Sequence, residues 1–133
     1  MLSVGDTHAA QGDGEVCGTA IESAMHVTFT IDLIRDARLP FPRYETAGPR
    51  PGDAERLGVT ATRGLGPDLM TACRDAVSGM IDHLTRSRSV APEDAYMLCS
   101  VAGDLRIGEV VDAANRVVSC AIPRSLFADR ASV

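Results

Sequence analysis

The chain has 133 residues, 45% hydrophobic and 23% charged, a composition that fits one globular domain and excludes a wholly disordered chain, a collagen or a coiled coil. All 13 basic residues are arginine and the formal net charge is −5, so no lysine can form a Schiff base, and the balance argues against a general binder of nucleic acid or of anionic membranes. A chain this long buries roughly two-thirds of its unfolded surface, enough for a core.

Residues 5–15 read Gly-Asp-Thr-His-Ala-Ala-Gln-Gly-Asp-Gly-Glu, a glycine-rich polar cluster that predicts a loop or a bent strand end. Val16 to Ile21 is apolar and small, as in a buried strand. Residues 26–34 alternate: Val27, Phe29 and Ile31 face one way, Thr28, Thr30 and Asp32 the other, the best strand pattern in the chain. Pro40 to Thr46 carries two prolines and predicts an edge strand or a strand start. Ala47 to Glu55 reads as a loop, and Leu57 to Thr62 as a further short strand.

The period then changes. Leu69, Ala72, Cys73, Ala76, Val77, Met80, Ile81 and Leu84 recur at three- and four-residue steps, which predicts an amphipathic helix from Pro67 to Arg86. A second helix is expected from Pro92-Glu93-Asp94 to Ala102, ending at Gly103. Ile107 to Val111 and Val117 to Ile122 read as a closing β-hairpin turned at Ala113-Ala114-Asn115-Arg116. Short strands, two packed helices and a closing hairpin make an α+β fold, taken as one domain over residues 1–133.

Cys17, Cys73, Cys99 and Cys120 form no CxxC pair, and buried free thiols are expected in place of disulfides. No basic and apolar leader and no long apolar run is present, so a cytoplasmic location is expected.

The chemistry concentrates in residues 5–15. Asp6 and His8 are two apart, so on an extended backbone they share a face. Carboxylate oxygen with imidazole nitrogen suits a divalent metal, zinc above all. Asp13 and Glu15 repeat the spacing. A carboxylate beside a metal-activated water can take and return a proton. Gln11 can hydrogen-bond a substrate carbonyl or amide, and Gly12 and Gly14 allow close backbone approach. The competing reading is structural, because Asp-Gly and Gly-Asp pairs also make self-capped turns. The Asp-x-Asp-x-Asp-Gly order of a calcium loop is absent. His26 and His83 read as surface residues. Cys17 and Cys99 are alternative nucleophiles, with an inert buried thiol as the counter-reading for Cys99.

Gly5-Asp6-Thr7-His8-Ala9-Ala10-Gln11-Gly12-Asp13-Gly14-Glu15-Val16-Cys17-Gly18-Thr19-Ala20-Ile21-Glu22 closely resembles a signature of the acetamidase/formamidase family. Pro40-Phe41-Pro42-Arg43, Gly66-Pro67-Asp68-Leu69, the run from Glu93 to Ile107, Val117-Val118-Ser119 and Pro123-Arg124-Ser125 follow in the same order. The resemblance implies hydrolysis of a short linear amide, such as formamide or acetamide, to carboxylate and ammonia. It implies a metal-assisted site and a homo-oligomeric cytoplasmic enzyme. Asp6, His8, Gln11, Asp13 and Glu15 match the family's polar motif; their roles follow from chemistry, with Asp6 and His8 as metal ligands and Glu15, Gln11 and Asp13 as catalytic residues.

Family members are longer, and this chain resembles their C-terminal part. The expected consequence is a site short of one ligand and a core short of a cover, both supplied by a complementary N-terminal chain or another subunit. Two function classes stand: an amidohydrolase completed by that part, and a catalytically inactive truncated remnant or interaction module of the same fold.

Overall fold

The computed structural model describes residues 4–48, 57–111 and 113–127. In chain order the elements are strands β1 (His8–Ala10), β2 (Ile21–Glu22), β3 (Arg43–Glu45) and β4 (Val59–Gly66), helices α1 (Leu69–Arg88) and α2 (Pro92–Ala102), strands β5 (Asp104–Glu109) and β6 (Arg116–Pro123), and a single 3-10 turn, Arg124–Phe127. This is the expected α+β order, with α1 and α2 between the earlier strands and the closing hairpin.

The main sheet is antiparallel, in the order β3-β4-β6-β5. The long pair is β4 with β6, running from Val59 opposite Pro123 to Gly66 opposite Arg116. Helix α1 lies across this pair, and α2 packs against α1 and touches β6. Ala72, Ala76, Met80 and Leu84 of α1 are buried against Val118, Cys120 and Ile122 of β6, with Ala95 and Cys99 of α2 closing the core. These α1 positions are the three- and four-residue steps read from the sequence. Asp68 caps the helix, accepting from the Thr71 backbone N–H at 2.9 Å and the Thr71 hydroxyl at 2.8 Å. Those two donors hold its carboxyl below the usual carboxylate range.

β4 continues past the expected end at Thr62, because glycine there allows contact where it would normally weaken a strand. A Cβ on Gly64 would lie 2.0 Å from Ala72 O and 2.5 Å from Ala76 N, so only glycine lets α1 sit this close. The Thr62 hydroxyl completes the contact by donating to Ala76 O at 2.7 Å.

Three sequence expectations are corrected. Residues 26–34 join no ladder among the described residues. Val16 to Ile21 is not a buried strand: Gly18 N–H donates to Glu15 O at 2.8 Å in a turn, Val16 is exposed, and only Ile21–Glu22 pairs. His83 is not a free surface residue. It is half-buried on α1, and the Arg43 guanidinium donates to its Nδ1 at 2.8 Å, so burial and that cation lower its pKa. Arg43 begins β3, the edge strand expected from the two prolines. The closing hairpin is present, with β5 starting earlier than expected, at Asp104. The opening Met1-Leu2-Ser3 and most of the loop expected at Ala47 to Glu55 lie outside the described residues.

All four cysteines are free; Cys99 and Cys120 are buried, Cys73 is partly buried, and Cys17, against expectation, is exposed. Among the described residues no helix is long and apolar enough to cross a membrane.

Candidate functional site

The polar cluster lies on a small ribbon apart from the main sheet. β1 pairs antiparallel with β2, placing His8 opposite Glu22 and Ala10 opposite Ile21, with an irregularity between the two pairs. The Thr7 hydroxyl donates to Ser23 O, and Ser23 N–H donates to Thr7 O at 3.0 Å, which fixes the register just before His8. The connection back is made by tight turns. Glu15 N–H donates to Gly12 O at 3.2 Å. Gly14 has φ +91, which L side chains rarely adopt, and its carbonyl accepts from Val110 N–H at 3.0 Å, tying the motif to the end of β5.

Asp6 and His8 share a face as their spacing predicts: His8 Nε2 donates to Asp6 Oδ2 at 2.8 Å. The same nitrogen lies 3.1 Å from Glu22 Oε2. On the other side of the ring, His8 Nδ1 meets Gln11 Oε1 at 3.3 Å, and Gln11 Nε2 donates to Glu15 Oε2 at 3.0 Å. One chain of contacts thus runs from two carboxylates through the imidazole and the amide to Glu15. The hydrogen bond to Asp6, then that to Gln11, raises the His8 pKa, and the imidazole lowers that of Asp6.

Glu22 is the residue that sequence reasoning missed. It stands at the end of the quoted signature, but nothing in local spacing joins it to His8. Only the pairing of β1 with β2 does. Asp6, His8 and Glu22 offer three ligand atoms, all within 4.8 Å of one another. A tetrahedral ion with bonds of about 2.1 Å needs donors about 3.4 Å apart, and one imidazole with two carboxylates is a donor set that zinc accepts. The 2.8 and 3.1 Å separations therefore fit a divalent ion with small side-chain adjustments.

Asp13 is not brought into this chain. It is exposed and makes no hydrogen bond or ion pair among the described residues. The two-residue rule fails there because Gly14 and Glu15, at φ +91 and +43, break the extended backbone. Gln11, expected to contact substrate, has both ends of its amide engaged by His8 and Glu15. The thiol reading finds no base: no histidine bonds to Cys17 or Cys99 among the described residues. Cys17 donates to Thr19 O at 3.7 Å, whereas Cys99 lies against Cys120, whose bond to it lowers the Cys99 pKa.

The site is open. The side chain of His8 is 19% exposed, but Asp6 and Glu22 are 73% and 54% exposed.

Residues 1–129 match the model of the acetamidase/formamidase family. The chain belongs to that family. Among solved structures it is similar to the acetamidase from Yersinia enterocolitica, with 36% identity and a TM-score of 0.78, covering 92% of this chain and 34% of that one. It is also similar to the acetamidase from Bacillus halodurans, with 26% identity and a TM-score of 0.75, covering 90% of this chain and 37% of that one. No curated protein matches. As an acetamidase/formamidase family member the chain therefore spans only about a third of the acetamidase chains it resembles, and the α+β fold described above is that third.

Proposed function

We propose that the chain is part of an amide hydrolase that converts a short linear amide, of the formamide or acetamide type, with water into carboxylate and ammonia. Family membership supports amidase chemistry. The observation that carries the site assignment is the meeting of Asp6, His8 and Glu22 across the β1–β2 ribbon. These three would hold a divalent metal, zinc first. Bound there, such an ion lowers the pKa of water and polarises a carbonyl.

The protein's own groups do the rest. Asp6 and Glu22 supply negative oxygen and draw a cation to His8. Gln11 accepts from the far nitrogen of the ring and so fixes which nitrogen is left free to ligate. Glu15, held by Gln11, takes the proton of the attacking water and returns it to the departing nitrogen, which leaves as ammonia. Asp13 lies outside this chain of contacts and has no step in the proposal.

The openness of the site supports one further element. Hydrolytic sites gain from excluding bulk water, which weakens every charge interaction. The active unit in this proposal therefore contains, besides this chain, polypeptide equivalent to the rest of the acetamidase chains, as a complementary N-terminal chain or within a cytoplasmic homo-oligomer. The same openness favours a second reading, an inactive module of the fold.

Ammonia release from formamide and acetamide separates the two. It is measured with added zinc and with chelator, for this chain alone and co-expressed with the remaining part of the Yersinia enterocolitica acetamidase. Zinc-dependent release that His8→Ala abolishes is expected; folded protein with no release in any arm leaves the inactive module.

A further inference from the structure

The main-chain groups of residues 24–34 have no backbone partner among the described residues, and this segment carries the best strand pattern in the sequence. Val27, Phe29, Ile31 and Leu33 are all exposed, from 48% at Val27 to 78% at Leu33. Thr28, Thr30 and Asp32 alternate with them. A segment whose apolar and polar side chains alternate and whose N–H and C=O groups are free carries what half of a β-pairing needs. Left bare, it invites edge-to-edge aggregation. No proline lies between Ala24 and Ile34, and Asp32 is the one acidic or basic side chain there apart from His26.

We propose that residues 24–34 are a docking strand, which pairs with a β-strand of the polypeptide equivalent to the part of the acetamidase chains that this chain does not span. The occupant follows from length. The fold recurs at TM-scores of 0.78 and 0.75 as only 34% and 37% of larger chains, so about two-thirds of each is available to cover what is bare here. Pairing satisfies the free backbone groups, and one sheet face takes up Val27, Phe29, Ile31 and Leu33. The alternation fixes the register, because a one-residue slip would bury Thr28, Thr30 and Asp32 in their place. This inference rests on the reading that the working unit contains more than this chain, but not on its catalysing amide hydrolysis.

The test co-expresses this chain with the remaining part of the Yersinia enterocolitica acetamidase and follows amide hydrogen exchange. Sedimentation should show a heterocomplex, in which exchange of the amides of residues 27–34 slows at least 100-fold relative to the chain alone, on the order expected when a free strand enters a stable ladder. Phe29→Asp with Ile31→Asp should abolish the complex, while Thr28→Asp, on the other face, should keep it. A single fused chain carrying Phe29→Asp keeps the test informative if the separate parts associate weakly; there, loss of protection over 27–34 is expected. A complex with these amides unprotected overturns the proposal, as does failure of both the separate and the fused chains to protect them. Protection of 27–34 in this chain alone, with self-association, overturns it in favour of a second copy. A protected complex that releases no ammonia from any amide leaves the docking strand standing and removes the hydrolase reading.

Discussion

Replacing Glu22 by Gln keeps the shape of the side chain and removes its charge, so it tests the third ligand without opening a hole. In the present geometry Glu22 Oε2 lies 3.1 Å from His8 Nε2, and the three ligand atoms are within 4.8 Å of one another. A neutral amide oxygen is a poor ligand for zinc, so the variant is left with Asp6 and His8. Disturbing groups that merely orient metal ligands already costs about 10- to 100-fold in affinity, so loss of a ligand should cost at least about 100-fold. The assay is competition for zinc with a chromophoric chelator at neutral pH. Circular dichroism should be unchanged, because Glu22 is exposed and its strand is pinned by the Thr7 and Ser23 backbone. Zinc affinity within about threefold of the original would refute the assignment, since a charged ligand cannot be that dispensable.

Glu15→Gln should leave zinc affinity within a few-fold and lower ammonia release by roughly 100-fold or more in the active unit, if Glu15 carries the proton; steady-state turnover beside the zinc titration reads both. Gly64→Ala should destabilise the fold by about 2–3 kcal/mol or more, because α1 must retreat by about 1 Å to clear a Cβ now 2.0 Å from Ala72 O. Urea unfolding followed at the helix signal measures it, and an unchanged midpoint would mean that α1 does not lie this close to β4. Asp68 has a depressed folded-state pKa, so its contribution is full above the ordinary aspartate value of 3.8 and is lost as pH falls through the lower folded value. The stability of Asp68→Asn should therefore fall less steeply below about pH 4 than that of the original chain; equal slopes would contradict the capping role.

Both helices were legible because their information is local. The apolar steps of α1, Asp68 before it, Pro92 with two acids opening α2, and Gly103 after it are all written within a few residues. The strands were legible only in part, because a strand is completed elsewhere. Residues 26–34 have the pattern but no partner among the described residues, whereas β4 has a pattern spoiled by Gly64 and Gly66 that makes sense only once α1 is laid against it. The site divides the same way. Asp6 with His8 follows from the two-residue period of an extended chain. Glu22 requires the pairing of β1 with β2, and the exclusion of Asp13 requires the positive φ of Gly14 and Glu15. Sequence spacing carries contacts within an element, and loses those made between elements or across a turn.

The docking strand and the proposed metal ligands are too close in sequence to be independent. β2 ends at Glu22, and the unpaired segment begins at Ala24. Only Ser23 separates them, and its N–H and carbonyl are both bonded to Thr7, which stands between Asp6 and His8 in the chain. Pairing residues 24–34 with a neighbouring strand would therefore hold Glu22 and, through Thr7, Asp6 and His8 in one register. It would also take water from a face on which Asp6 is now 73% exposed. Both effects favour the zinc-bound form over the free one, so docking should tighten zinc binding. By linkage, zinc must then tighten docking by the same factor, typically about 5- to 150-fold for coupled sites. Zinc titrations of the chain with and without its complement, and complement titrations with and without zinc, give that factor twice. Equal, larger-than-unity factors are expected. A factor of one in both directions would show that the ribbon and the docking strand act separately, and that the openness of the site has another remedy.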